Sequence, residues 1–187
     1  MEHPRYITWW RSLKASTRRA LRRLGLSSTP GQATPERWLF LDVDGVLAPS
    51  GPGHRDDLLA DFVLDPVRVP SHMPATLHVA TDAGVTLAWC TARTDEANTH
   101  LSPVLGLPTL HVIHPHGHGT PIDTKAATVP TWTNRLPAGS RFAWADDEFT
   151  PTVHALLGDR VHLIPVDPTM GLTPAHVQDA INYLTAP

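Results

Sequence analysis

The sequence holds a single cysteine, Cys90, which excludes an intramolecular disulfide framework. It has no apolar run near the roughly 18 residues that a membrane helix needs. Trp9-Trp10 leads into Arg-Ser-Leu-Lys and not into an apolar stretch, so the start does not read as a secretory signal, and a cytoplasmic location is expected. Charged residues are 18% and hydrophobic residues 41% of the chain, a balance that excludes a disordered polyelectrolyte. What remains is a 187-residue chain, one ordinary domain with an appendage and enough length to bury a core. Nineteen prolines and twelve histidines point to many short connections.

The net charge of -3 conceals an asymmetry. Residues 1–25 carry seven basic side chains (Arg5, Arg11, Lys14, Arg18, Arg19, Arg22 and Arg23) and one acid, Glu2, for a net +6. The other eight basic and seventeen acidic side chains leave the body at -9. In the arm, Trp9, Leu13, Ala20, Leu21 and Leu24 recur at helical spacing, which predicts a basic amphipathic helix over 1–26. Residues 27–36, rich in Ser, Thr, Pro and Gly, read as a linker to a domain over 37–187. A solvated helix packed on the body is one reading of the arm. Contact with nucleic-acid phosphates, adhesion to an anionic surface and a cleaved transit peptide are the others.

From residue 37 short apolar runs alternate with helical patterns. Strands are expected at 38–41, 85–89, 110–113, 142–145 and 161–165. Helices are expected around 72–83, 95–105 with an interruption near Ser102-Pro103, a short one after Asp123, 151–157, and a last one capped by Thr173 and opened by Pro174. Buried strands separated by helices imply an α/β fold, an open parallel sheet of about five strands with helices on both faces. Ligands of such sheets sit beyond the carboxyl ends of the strands.

Those ends carry the polar residues. The first strand finishes in Asp42-Val-Asp-Gly-Val46 and the second in Cys90-Thr91-Ala-Arg93. Lys125 opens the short helix after the third, and the fourth finishes in Ala145-Asp146-Asp147-Glu148. Phosphoryl transfer needs charge neutralisation and in-line positioning. A carboxylate can attack phosphorus, and Asp42 is the candidate nucleophile. Asp44, beyond the strand end, can serve as general acid and then activate water. Two anions approach each other only with a cation between them, which suits Mg²⁺. Asp42 and the Asp146-Asp147 pair are its candidate ligands, Asp146 the closer and Asp147 second or through water, with Asp44 in the same candidate metal set. Thr91 and Lys125 are candidate catalytic and substrate-binding groups, one donating to a phosphate oxygen and the other offsetting charge. Gly45 allows the sharp exit from the strand.

In order and spacing, these residues resemble the four motifs of the haloacid dehalogenase (HAD) superfamily of phosphatases. Asp42–Val46 resembles its first motif, Thr91 its second, Lys125 its third and Asp146-Asp147 its fourth. Within the superfamily, the sequence is most similar to the HAD domains associated with Swiss Army Knife RNA repair proteins. The segments that carry this likeness are Leu41–Leu47, Thr94–Asn98, Leu105–Pro108, Phe142–Glu148 and Val166–Thr173. The resemblance spans roughly residues 37–186 and implies a Rossmann-like fold, Mg²⁺ dependence and phosphatase chemistry. A link to RNA ends follows only from the domain associations.

Cap insertions control access in this superfamily. Between Val46 and Pro70 there is room for a flap and not for a domain, and the segment from His114 to Lys125 is shorter still, so the site is expected to be essentially capless. Arg93 is open to two readings, a substrate-binding grip on a second phosphate or nucleotide, or a pairing with Asp95 or Glu96. The run His111–His118 matches no standard zinc spacing and reads as a polar loop. Trp132, Trp144 and Cys90 read as packing residues. The expected partner is a phosphorylated substrate, a nucleotide or nucleic-acid end. The alternatives are a small-metabolite phosphatase and a HAD-scaffold binding module recruited through residues 1–25.

Overall fold

The computed structural model describes residues 33–53, 57–62 and 65–186; the expected basic helix over 1–26 lies outside them. The first strand, β1 (Arg37–Leu41), explains the architecture by its alternation. Trp38 and Phe40 point into one apolar cluster, and Leu39 and Leu41 into another. Both clusters are buried, so both faces of the sheet are covered, and the strand reads as a continuous apolar run because it has no wet side.

Four more sheet strands flank it, namely β4 (Thr86–Trp89), β5 (His111–Val112), β6 (Arg141–Asp146) and β7 (His162–Pro165). They lie in the order β5-β4-β1-β6-β7, all parallel, which is the open sheet expected from the sequence. Helices α1 (Met73–Asp82) and α4 (Pro174–Thr185) pack together over the Leu39 face. Helices α2 (Pro121–Thr133) and α3 (Pro151–Leu157) pack together over the Trp38 face.

Three of the four helices start at a Thr-Pro pair. Thr120, Thr150 and Thr173 each accept a hydrogen bond from the backbone N–H three residues on, and the proline occupies the first helical position. At α4 the cap is reciprocal: Thr173 N–H donates to His176 Nδ1 at 3.2 Å while His176 N–H donates to Thr173 Oγ1 at 3.3 Å. Val177, Ala180, Ile181 and Leu184 then bury one stripe of that helix, each large side chain contributing roughly 1.5–3 kcal/mol.

Three elements differ from expectation. The segment after Asp95 forms only a π-helical turn, Ala97–Leu101, followed by turns up to Gly106. Pro103 lacks an N–H and restricts Ser102, so a regular helix cannot run through it. The helix bearing Lys125 has thirteen residues and begins at Pro121, so Lys125 lies in its second turn and does not open it. The flap between 46 and 70 contains a hairpin of β2 (Leu58–Ala60) and β3 (Val67–Val69), antiparallel to each other. Ala60, Phe62, Val67 and Val69 are buried against the Leu39 face, so the flap is docked.

Asn98 ties the π-helical turn to the sheet. Its Oδ1 accepts from Trp89 Nε1 at 3.0 Å, from Leu110 N–H at 2.8 Å and from Ser102 Oγ at 3.1 Å, and its Nδ2 donates to the Leu110 carbonyl at 2.9 Å. Removing it strands a buried indole N–H and two backbone groups. Asn98→Ala should therefore lower the unfolding free energy by at least about 2 kcal/mol in urea denaturation, more than a half-exposed polar side chain usually costs.

Candidate functional site

The sheet keeps its hydrogen bonding one step beyond the strands. Asp42 N–H donates to the Ala145 carbonyl at 3.2 Å, Cys90 N–H to Leu41 at 2.9 Å and Val166 N–H to Asp146 at 3.0 Å. Leu41 pairs with Ala145 on one side and Trp89 on the other. The register therefore sets Asp42 level with Asp146 and with Cys90, and paired residues of parallel strands share a face. That face is covered by α2, which supplies Lys125.

Lys125 Nζ donates to Asp42 Oδ2 at 2.7 Å and to Asp146 Oδ2 at 2.8 Å. All three groups are buried, as is Thr91. Burial pushes the Asp42 carboxyl above the usual range, against the pull of Lys125 and of hydrogen bonds from the Val43 backbone and the Thr91 hydroxyl. Burial, and then the Asp42 charge, push Asp146 up to about 7, with Lys125 opposing. For Lys125 burial disfavours the charge, but the two carboxylates outweigh it and hold the ammonium above its ordinary value. The Cys90 thiol, wholly buried, is pushed well above its ordinary range and is inert.

Asp42, Asp146 and Asp147 each place one carboxylate oxygen within 4.8 Å of the others. Asp147 is exposed, so the group opens to water on one side. Three hard oxygen donors with an aqueous side fit Mg²⁺, which retains several waters in protein sites. Asp44 is not brought into this group. Its carboxylate meets Arg93 instead, with Nε 2.9 Å from Oδ2 and Nη2 2.6 Å from Oδ1. The expected pairing of Arg93 with Asp95 or Glu96 is not formed: Arg93 pairs with Asp44, and Asp95 faces His114 Nε2 at 3.6 Å.

Two glycines permit the close approach of the loops. Gly45 has φ +73°, and a Cβ there would press on the Asp147 carboxylate, 2.6 Å from its Cγ. Gly171, also at φ +73°, brings the 166–173 loop onto the exit of β1, where Leu172 N–H donates to the Val46 carbonyl at 2.7 Å. A cleft of about 290 Å³ is lined by Ala92, Thr94, Pro115, Gly119, Pro121 and Thr124, and Ala92 and Thr124 are the chain neighbours of Thr91 and Lys125. Thr94 holds φ +48°, a costly conformation for a β-branched residue. The histidine run forms no metal group among the described residues: His111 packs edge-on against Trp38, and His116 Nδ1 lies 3.1 Å from Thr128 Oγ1. Phe62, whose ring backs Arg93, has no signal in the sequence that distinguishes it from an ordinary loop residue, while Asn98 is marked there only as the end of the Thr94–Asn98 segment.

Two outcomes test this geometry. In EDTA, Lys125→Met should destabilise the fold by roughly 3–5 kcal/mol at neutral pH, since two buried carboxylates lose their cation. Asp146 sits at about 7 in the folded state against an ordinary 3.8, so the folded form keeps a proton that the unfolded chain releases, and stability falls as pH rises between those values. Without Lys125 the carboxyls rise further, so the deficit should shrink at pH 5, as read by denaturant midpoints at both pH values. Gly45→Ala should displace Asp147, so in a Mg²⁺ titration its thermal midpoint should rise less than that of wild type.

The sequence matches the family described as the HAD domain in Swiss Army Knife RNA repair proteins over residues 38–177. A comparison with curated proteins returns no match. Among solved structures, the hypothetical protein XCC2798 from Xanthomonas campestris aligns over 83% of this chain and 91% of its own, at 17% identity and a TM-score of 0.43, too loose a likeness to bear on the chemistry. The match covers the strand exits with Asp42, Thr91, Lys125 and Asp146-Asp147, and the chain belongs to this family of HAD domains.

Proposed function

We propose that the protein is a Mg²⁺-dependent phosphomonoesterase that works through an aspartyl-phosphate on Asp42. The observation that carries this reading is the buried Asp42 carboxylate at the end of β1, one oxygen 2.7 Å from Lys125 and the group within reach of Asp146 and Asp147. A nucleophile needs a fixed direction of attack, and Asp42 has one. It is held by its place in the sheet and by the ammonium. Mg²⁺, held by Asp42, Asp146 and Asp147, would neutralise charge between the nucleophile and the phosphate.

In the first step an Asp42 oxygen bonds to phosphorus, the ester P–O bond breaks, and Asp44 gives its proton to the departing alkoxide. In the second step water adds to phosphorus, Asp44 takes a proton from it, and the Asp42 P–O bond breaks to release inorganic phosphate. Thr91 and Lys125 face the non-bridging oxygens, whose charge grows as the ester bond breaks. The cleft lined by Ala92 and Thr124, chain neighbours of Thr91 and Lys125, offers room for the leaving group, and the flap between 46 and 70, whose described part holds a two-stranded hairpin, is too short for a cap domain. An uncapped site, together with the family's occurrence in RNA repair proteins, favours a nucleotide or the phosphorylated end of a nucleic acid as substrate.

The test is turnover of p-nitrophenyl phosphate, mononucleotides and 3′- or 5′-phosphorylated oligonucleotides with Mg²⁺. Asp42→Asn should lose at least about 10³-fold in kcat on every substrate the wild type accepts. Wild type as inactive as Asp42→Asn on the whole panel would overturn the reading.

A further inference from the structure

We propose that Arg93 is a positioning residue that holds the Asp44 carboxylate and ties its orientation to the β2–β3 hairpin. The inference rests on the reading of Asp44 as the proton donor and acceptor.

Asp44 is an exposed member of the set, its side chain 55% accessible. A short side chain on a surface turn samples several rotamers unless something fixes it. Among the described residues, its carboxylate hydrogen-bonds only to Arg93, through Nε at 2.9 and 3.1 Å and Nη2 at 2.6 Å. Two N–H groups of one planar fork meeting two oxygens set direction as well as distance.

The fork is itself fixed from the hairpin side. Nη1 donates to the Asp65 carbonyl at 3.2 Å, the Asp65 carboxylate lies 3.6 Å from Nη2, and the guanidinium carbon stands 4.4 Å from the centroid of the Phe62 ring. Phe62 is 1% exposed and anchored in the apolar core. Arg93 is 14% exposed at its side chain although it sits at the mouth of the site. Three segments far apart in sequence, after β1, after β4 and within the hairpin, thus meet on one guanidinium. Lysine could keep the charge, but it lacks the planar fork and the flat face that Phe62 supports.

A proton donor matters most when the leaving group is a poor one, so leaving-group dependence separates positioning of Asp44 from general structural support. The experiment compares kcat and KM for an alkyl phosphate and for p-nitrophenyl phosphate, in full-length protein with Mg²⁺. Wild type, Asp44→Asn, Arg93→Met, Arg93→Lys and Phe62→Leu are assayed, with thermal midpoints recorded for each. Arg93→Met should lose at least about tenfold more kcat on the alkyl ester than on the aryl ester, following Asp44→Asn in pattern. Arg93→Lys should recover part of the loss. Phe62→Leu, which removes the ring behind the fork and leaves Arg93 and Asp44 in place, should show the same selectivity on a smaller scale and covers the case in which Arg93→Met folds poorly. Equal losses on both esters, or a raised KM with kcat unchanged, overturn the positioning role even if Asp44→Asn discriminates between them. Absence of discrimination in Asp44→Asn overturns the reading of Asp44 and this role with it, while the Asp42 reading stands on its own assay.

Discussion

Asp42 and Asp146 lie side by side at the ends of neighbouring strands, both nearly removed from water, and their like charges repel. The ammonium of Lys125, 2.7 and 2.8 Å from one oxygen of each, is what allows both to occupy that place. A buried ion pair adds little net stability compared with an apolar alternative, while a buried charge without its partner is strongly unfavourable. The triad is therefore poorly explained as a device for stability and well explained as a constraint accepted for chemistry. It holds a carboxylate aimed and dry at the sheet edge.

The rest of the fold can be derived from the need to bring that lysine there. Phe40 and Asp42 share a face of β1 with Trp144 and Asp146 of β6. The helix over that face must present Lys125 at the carboxyl end of the sheet. Thr120 and Pro121 start the helix just early enough to place Lys125 in its second turn, and Ile122, Ala126 and Val129 pin the same side to the core. A shift of one residue in the β1–β6 register would turn Asp146 to the opposite face, away from both partners. The apolar pairing along those strands, with Leu39 opposite Ala143 and Phe40 opposite Trp144, holds the register against such a slip.

Local patterns made much of this legible in advance. Alternation along β1, the Thr-Pro helix starts and the polar residues after each apolar run are short-range features, and they placed the sheet, α3, α4 and the exits at Asp42, Thr91 and Asp146. Elements that draw their stability from distant partners were not legible. β2 and β3 have three residues each and are strands because Phe62, Val67 and Val69 find the core, which no period in the sequence announces. The π-helical turn depends on Asn98 reaching Leu110 twelve residues away. The acid that pairs with Arg93 is Asp44, forty-nine residues back, and not the nearby Asp95 or Glu96. Spacing in sequence ranks near neighbours first, and a guanidinium on a long stem is not bound by that order.

The site is graded from dry to wet, and the grading matches the proposed division of roles. Asp42, Lys125, Thr91 and Asp146 are buried, which suits groups that need fixed direction and a weakly screened field. Asp147 and Asp44 stand at the rim, one on the watery side of the carboxylate group and one above the strand exit. Proton exchange and the attack of water both require access to solvent, so on the proposed mechanism Asp44 cannot be buried with Asp42. A rim residue then faces the opposite difficulty, since exposure that admits water also admits disorder. The Arg93 fork, backed by the Phe62 ring, resolves that conflict by ordering Asp44 without covering it. On the proposed reading the hairpin, through Asp65 and Phe62, orders the wet half of the site as the sheet orders the dry half.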